Sequence, residues 1–352
     1  MSKTHNNLYD QIVDFDNLWQ AYLSARLGKR YRKEVAEFSM HLEENLLNIH
    51  NHLVWGTWQP GKARNFRVFE PKQRDIQAPP FADRIVHHAL VRVAEPLFER
   101  GFIYHSYACR KGKGAQRAVK ALQTMLRTAE RNYANPYVIK ADIKSYFASI
   151  RHDVLFEAIN KVISCEKTLA LWKRIAFAYG HENGVGLPVG ALTSQLSANI
   201  VLNQVDHELT DNGGIRRYVR YMDDTVIVAS TKAEAQAQLA AMVGSVHDHG
   251  LIMNPKTTIF PTKSGVDFCG YRTWATHILP RKRNIAKARI RLKKLSKLVT
   301  QCKAPFRDIA IQVNSFIAYA KHCNAHRTTS RILNDINYTG KGVTPWKSTI
   351  MC

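Results

Sequence analysis

Three aspartates stand where strands are expected to end. Asp142 meets the β-rich run YVIKADIKSYF (137–147), and Asp223 with Asp224 fills the turn of RRYVRYMDDTVIVAS (216–230). The latter is two β-branched or aromatic runs that predict a hairpin. If the two strands neighbour each other in one sheet, the carboxylates converge. Hard oxygen ligands of this kind suit Mg²⁺, which takes few protein carboxylates and completes its shell with water and substrate phosphates. Two such ions can activate an attacking hydroxyl and stabilise a leaving pyrophosphate. An Asp-Asp pair by itself is usually a solvated turn, because Asp favours turns. The combination with a third carboxylate on a neighbouring strand carries the argument.

The elements that must position these groups follow from periodicity. Residues 1–60 are predicted helical, with Phe38, Leu42, Leu46 and Ile49 at helical spacing before the breaks of W-G-T-W-Q-P-G. RNFRVFEPKQRDIQAPP predicts a basic hairpin turning at Pro71 to Gln73. Helices are expected along Ile85, Val86, Ala89, Leu90, Val93 and Ala94, and again along Ala115, Ala118, Val119, Leu122, Met125 and Leu126. GVGLPVGALTSQLSANIVLNQVDHEL predicts a loop leading into a helix. Within 281–352 there are 16 Lys and Arg against Asp308 and Asp335 alone, so +14 of the total +23 resides there. Ile285, Ala288, Leu292, Leu295 and Val299 form an apolar stripe, with Lys287, Arg291 and Lys294 on another face.

A formal charge of +23 on 352 residues is too basic for an ordinary metabolic enzyme and points to a polyanionic partner, nucleic acid first and an acidic membrane surface second. With 45% hydrophobic residues the chain can bury a large core, which excludes disordered and fibrous classes. The six cysteines show no C-x-x-C, so reduced thiols are expected, and Cys302, His322, Cys323 and His326 match no zinc spacing. Of the pair His87 and His88, one is expected buried and hydrogen-bonded and the other exposed. No signal peptide and no long apolar span is apparent, which predicts a soluble, cytoplasmic protein without membrane partners.

Tyr221-Met222-Asp223-Asp224 resembles the Y-x-D-D hairpin of reverse transcriptases. Other segments match that family in its order. Ala141 to Phe147 resembles the first catalytic motif. Gly186-Leu187-Pro188-Val189-Gly190 with Ser197-Ala198-Asn199 resembles the template- and nucleotide-contacting motif, Asn254-Pro255-Lys256 the lysine motif, and Phe268-Cys269-Gly270-Tyr271 the primer-grip hairpin. Within the family, L-T-S-Q-L-x-A-N around Gln195, E-P-K-x-R (Glu70 to Arg74) and Y-A-C-R (Tyr107 to Arg110) are similar to the enzymes of diversity-generating retroelements.

The resemblance implies an α+β, right-hand polymerase. It would comprise a helical N-terminal element (1–60), fingers (61–136 with parts of 156–182), an antiparallel-sheet palm (137–280) and a small basic helical thumb (281–352). It also implies roles. Asp142 and Asp223 would bind two Mg²⁺ ions, with Mn²⁺ as a substitute, helped by the Ile143 carbonyl and, in a lesser role, Asp224. Tyr146 would stack under the incoming sugar and exclude a 2′-hydroxyl. Lys72 and Arg74 would grip the triphosphate, since cationic groups neutralise charge on transferred phosphate. Lys256 would act as general acid toward pyrophosphate. Gln195 would support the active-site loop through hydrogen bonds. Val189 stands where many relatives place Gln against the incoming nucleotide, and an apolar contact there discriminates weakly. Lys287, Arg291 and Lys294 would contact the template–primer backbone.

The implied activity is RNA-directed DNA synthesis from deoxynucleoside triphosphates on a retroelement template-repeat RNA. It would be error-prone at adenines, proceed through an RNA/DNA hybrid and use a small basic accessory protein oligomer as partner. A retron-like or defence-associated reverse transcriptase is the rival within the class, separable by neighbouring genes. A non-catalytic RNA-binding or maturase-type protein is the rival outside it, and the intact aspartates count against that.

Overall fold

The computed structural model describes residues 4–69, 74–179 and 181–336. The N-terminal stretch forms α1 (Tyr9–Val13), α2 (Phe15–Arg26), α3 (Lys33–Met40) and α4 (Leu42–Val54). Asp14 ends α1, and its carboxylate accepts the Asn17 backbone N–H at 3.1 Å, so one residue both separates two helices and caps the second. Strands β1 (Arg64–Val68) and β2 (Arg74–Ala78) pair antiparallel, from Arg64 opposite Ala78 to Val68 opposite Arg74. The expected turn at Pro71 to Gln73 lies outside the described residues.

Helix α5 (Phe81–Glu99) buries Ile85, Val86, Ala89, Leu90 and Ala94 of the stripe its sequence predicts, while Val93 is only half-buried. There follow α6 (Ala115–Asn132), β3 (Tyr137–Ala141), α7 (Tyr146–Ser149), α8 (His152–Asn160), α9 (Glu166–Ala176) and α10 (Leu192–His207). Then come β4 (Tyr218–Tyr221), β5 (Asp224–Ala229), α11 (Lys232–Asp248), β6 (Thr258–Pro261), β7 (Val266–Phe268), β8 (Tyr271–Thr273) and β9 (Ile278–Pro280). The helices α12 (Lys282–Thr300), α13 (Phe306–Ala320) and α14 (His326–Asn334) complete the described chain. Helices combined with antiparallel strands place the fold in the α+β class. Among the described residues no helix is long and apolar enough to cross a membrane.

The four-stranded sheet has the order β4-β5-β3-β6, and β7-β8-β9 form a separate antiparallel sheet. Strands β4 and β5 are the predicted hairpin, with Tyr221 opposite Asp224 next to the turn. Two compact units emerge. Of the described residues, the first holds those up to Gly114 with Lys140–Ile227 and Gln236–Thr258; the second holds Ala115–Ile139, Val228–Ala235 and those from Ile259 to Ile336.

In the second unit the C-terminal helices close on their own core of Leu292, Ile309, Val313, Phe316, Ile332 and Ile336, flanked by Ile285, Ala288, Leu295 and Val299. The predicted stripe of α12 is therefore its packed face. Tyr319 joins this bundle to the small sheet: its hydroxyl donates to the Gly270 carbonyl at 2.5 Å, and its ring stacks on Tyr271 at 4.8 Å.

One expectation fails in the first unit. His87 is buried as predicted, but among the described residues neither of its ring nitrogens has a hydrogen-bond partner, and His88 is half-buried rather than exposed. The His87 ring is packed in the interior, edge-on to the Tyr179 ring at 6.4 Å between centroids. Burial, reinforced by His88 and Arg84, holds its pKa down at about 3, so the ring is neutral.

Candidate active site

Strands β3 and β5 are neighbours, and an ion pair between Lys140 and Asp224 shows which of their ends meet. Lys140 is the penultimate residue of β3 and Asp224 the first of β5, so the end of one strand lies beside the start of the other. Asp142 follows β3 directly, and Asp223 sits in the turn before β5; both are half-buried. The turn is tight enough to hold Met222 in the left-handed region, at φ 56°, an uncommon conformation for a residue with a side chain.

Asp142 is held by one residue, Asn254. The Asn254 backbone N–H donates to the Asp142 carbonyl at 2.8 Å, and its Nδ2 donates to Asp142 Oδ2 at 2.9 Å. Ile143 forms an antiparallel bridge with Met253, and the Lys144 N–H donates to the Ile252 carbonyl at 2.9 Å. The Asn-Pro-Lys segment thus clamps the Asp142 segment. Lys256 is exposed two residues beyond the clamp, with its backbone N–H on Asn254 Oδ1 at 3.1 Å.

Tyr146 departs from its expected role. It is 2% exposed, and its hydroxyl donates to the Ala198 carbonyl at 2.5 Å, which leaves no ring face for a sugar. Ser145 takes a left-handed φ of 51° as the chain enters α7, and this turns Tyr146 inward. The adjacent Phe147 is half-buried, and its carbonyl accepts the Leu187 N–H at 2.7 Å. Burial pushes the Tyr146 phenol well above its ordinary pKa; Arg220 opposes this and Asp223 reinforces it, so the ring lies within electrostatic reach of the catalytic turn.

The Phe147–Leu187 bond lays the Gly-Leu-Pro-Val-Gly loop along the same segment. Gly186, at φ 91°, donates to the Ile150 carbonyl at 2.7 Å, and a Cβ there would meet the His181 ring at 2.7 Å, so only glycine fits. Val189 is half-buried in this loop. Gln195, half-buried at the start of α10, makes no side-chain hydrogen bond among the described residues, so the expected support from it is not formed. Ser197, Ala198 and Asn199 are all buried. The Ser197 hydroxyl accepts from Trp172 at 3.0 Å, and Asn199 donates to the Ala108 carbonyl at 2.9 Å. These three residues brace the interior instead of contacting a nucleotide.

Lys72 lies outside the described residues, as does the side chain of Arg74, whose backbone opens β2. Lys287, Arg291 and Lys294 are exposed on α12, and Arg291 donates to Gln312 at 3.3 Å.

The donor set at the sheet end suits Mg²⁺ in part. Two half-buried carboxylates are hard oxygen donors that leave room for water and substrate phosphate. The expected contribution of Asp224 is not seen: Lys140 takes its charge, and no group of three or more His, Cys, Asp or Glu is gathered for a metal among the described residues. Asp142, with the Ile143 carbonyl beside it, and Asp223 are the groups at this sheet end whose chemistry suits a hard cation. Sequence reasoning named Asn254 only as part of the lysine motif and missed its hold on Asp142, and it missed Lys140 altogether, since no local signal marks that lysine as the partner of Asp224.

Residues 65–273 match the reverse transcriptase (RNA-dependent DNA polymerase) family. The chain is 29% identical to protein YkfC of Escherichia coli over 270 residues, 64% of this chain and 70% of that protein. It is 26% identical to the group II intron-encoded protein LtrA of Lactococcus lactis over 176 residues, 47% of this chain but 28% of LtrA. Among solved structures, a telomerase from Candida albicans with a telomeric RNA fragment aligns at TM-score 0.47 and 12% identity, over 78% of this chain and 55% of that one. With well over half of its length matched, and the paired aspartates at the sheet end inside the match, the chain belongs to the reverse transcriptase family.

Proposed function

We propose that this protein is an RNA-directed DNA polymerase that extends a primer on an RNA template with deoxynucleoside triphosphates. The observation that carries the reading is the pairing of Asp142 and Asp223 at one sheet end, with Asp224 neutralised by Lys140. Bound Mg²⁺ ions would lower the pKa of the primer hydroxyl and neutralise charge on the leaving pyrophosphate. The chain's own part is positional. Asn254 orients Asp142, the Gly186–Gly190 loop and Phe147 line the nucleotide's side of that carboxylate, and Phe147, in place of Tyr146, excludes a 2′-hydroxyl. Lys72 and Arg74 hold the triphosphate, Lys256 supplies a proton to pyrophosphate, and Lys287, Arg291 and Lys294 neutralise backbone phosphates of the hybrid.

Within this activity, the reading extends to template-repeat copying in a diversity-generating retroelement, with errors at adenine and a small basic accessory protein. It is supported by the L-T-S-Q-L-x-A-N, E-P-K-x-R and Y-A-C-R segments. Residues 1–60 would form the helical element before fingers, palm and thumb. A maturase-type reading draws on the intron maturases among the relatives, such as nuclear intron maturase 1 of Arabidopsis thaliana, 29% identical over 139 residues. The intact carboxylates favour polymerisation. Primer extension on an RNA template decides between them: Mg²⁺-dependent cDNA from the wild-type chain and none from Asp223→Asn is the expected result, and RNA binding without any extension would leave the maturase reading standing.

A further inference from the structure

Arg220 sits on β4, three residues before Asp223, and is 1% exposed. Its partner Asp206, on α10, is fully buried. Nε of Arg220 donates to both Asp206 oxygens, at 2.8 and 3.0 Å, and Nη2 donates to Oδ2 at 2.6 Å. The Tyr218 hydroxyl donates to Asp206 Oδ1 at 2.6 Å. Burial alone would depress the Arg220 pKa, but the Asp206 carboxylate more than reverses this, so the guanidinium stays charged. An ion pair this deeply buried is weak evidence for stability, since desolvation offsets most of the attraction. Its geometry indicates what else it does.

The remaining guanidinium nitrogen faces the catalytic turn. Nη1 donates to Asn199 Oδ1 at 3.2 Å and to the Met222 carbonyl at 3.1 Å. Met222 is the left-handed residue of the turn, and its carbonyl carbon is bonded to the nitrogen of Asp223. The Arg220 backbone is equally fixed, since its N–H donates to the His105 carbonyl and its carbonyl accepts the Tyr107 N–H, both at 3.0 Å. Asn199 in turn holds the Ala108 carbonyl at 2.9 Å. Arg220 therefore links α10 and the peptide before Asp223 through its side chain, and the 105–108 segment through its backbone and through Asn199.

We infer that Arg220 is a positioning residue for the catalytic turn: anchored by Asp206, its guanidinium holds the Met222 carbonyl and thereby keeps the Met222–Asp223 peptide in the orientation that presents Asp223 to a divalent cation. Arginine is required because its planar fork serves a carboxylate and a carbonyl at once, whereas a lysine ammonium can neutralise Asp206 without spanning to Met222. The inference rests on the polymerase reading, and its test separates the two.

The test uses the full chain with an RNA template and DNA primer, under single-turnover conditions, together with Mn²⁺ binding followed by electron paramagnetic resonance. Arg220→Lys is expected to lower the maximal rate of nucleotide addition and weaken Mn²⁺ binding by about 10- to 100-fold, the usual cost of losing an outer-shell partner. Affinity for the nucleotide and for the template–primer should stay within about threefold, because neither contacts Arg220. Adding Met222→Gly, which adopts positive φ without steric cost, should restore part of both losses in the Arg220→Lys background. A second variant, Arg220→Met with Asp206→Leu, removes both charges together and should show the same rate and Mn²⁺ losses while remaining folded. Unchanged rate and Mn²⁺ affinity in either folded variant would overturn the inference. So would failure of both variants to fold, which would make the network a folding element. A wild-type chain that binds Mn²⁺ but never extends a primer would sink the polymerase reading, while the Mn²⁺ comparison would still report on Arg220.

Discussion

Lys140→Met isolates the charge balance at the sheet end. Methionine keeps most of the lysine stem and removes only the ammonium, leaving Asp224 beside Asp142 and Asp223 with no counter-charge. Two unit charges about 4 Å apart interact by about 4 kcal/mol at an effective dielectric of about 20. The two side chains are 22% and 31% exposed, so solvent screening reduces the term by about half. Repulsion from the other carboxylates adds back part of that reduction. The expected loss is therefore about 2 kcal/mol of folding stability in the absence of divalent cation. Urea unfolding of wild type, Lys140→Met, Asp224→Asn and the double variant, in chelator and in millimolar Mg²⁺, measures it as a coupling energy. The double variant should recover most of the loss, and Mg²⁺ should stabilise Lys140→Met more than wild type, since a cation then replaces the ammonium. A coupling energy near zero in chelator, or an equal Mg²⁺ effect in both proteins, would refute the assignment of Lys140 as the group that neutralises Asp224.

Other outcomes follow from the same geometry. Asp223→Asn should abolish cDNA synthesis while leaving RNA affinity within about twofold, because it removes a proposed metal ligand and leaves the basic surface untouched; filter binding beside primer extension checks this. His87 has a folded pKa of about 3 against an ordinary 6.5. Below about pH 6.5 the unfolded chain therefore takes up a proton that the folded chain refuses, and stability falls by about 1.4 kcal/mol per pH unit toward pH 3. His87→Leu should remove one proton from that slope in denaturant titrations at stepped pH, and an unchanged slope would count against the buried neutral ring. Reversing Lys287, Arg291 and Lys294 to Glu should weaken hybrid binding whatever the sequence and reduce the salt slope by up to about three, which a salt titration reads directly. Val189→Gln should lower misincorporation opposite template adenine more than it lowers total synthesis, as sequencing of cDNA from one template would show; equal error frequencies would clear Val189 of that role.

Much of the scaffold was legible because it depends on period. The stripe Ile285, Ala288, Leu292, Leu295 and Val299 is the packed face of α12, and the two β-branched or aromatic runs either side of Met222 to Asp224 are the β4–β5 hairpin. Both are properties of contiguous residues, which a one-dimensional pattern records. The neighbouring strands that bring Asp142 near Asp223 were inferred from two such patterns and the chemistry that needs them together. The partners of those aspartates were not legible. Asn254 is 112 residues from Asp142, and Lys140 is 84 from Asp224. Nothing in local composition marks a lysine inside a strand as the counter-charge of a distant turn.

Adjacent residues expose the limit most sharply. Tyr146 and Phe147 are both aromatic and both follow Asp142 within one turn of chain, so either suits a sugar contact on type and spacing. Which one faces the nucleotide depends on where the chain bends, and the bend is at Ser145, a residue of no special propensity that nevertheless takes a left-handed φ of 51°. The tyrosine then goes inward because its hydroxyl finds the Ala198 carbonyl, a partner that phenylalanine does not need. A buried hydroxyl without a partner costs about 1–3 kcal/mol, so the site accepts tyrosine only where that carbonyl is waiting. Phe147, with nothing to satisfy, can remain half-exposed beside Leu187 at little cost. The order Tyr-Phe is therefore meaningful, and exchanging the two residues should bury a phenylalanine, remove the hydrogen bond to the Ala198 carbonyl and place a hydroxyl beside Leu187, on the proposed nucleotide side of Asp142. That variant should lose stability by about 1–2 kcal/mol through the missing hydrogen bond. It should also discriminate differently between ribo- and deoxynucleotides in single-nucleotide addition. Unchanged discrimination in the folded variant would show that neither aromatic touches the sugar.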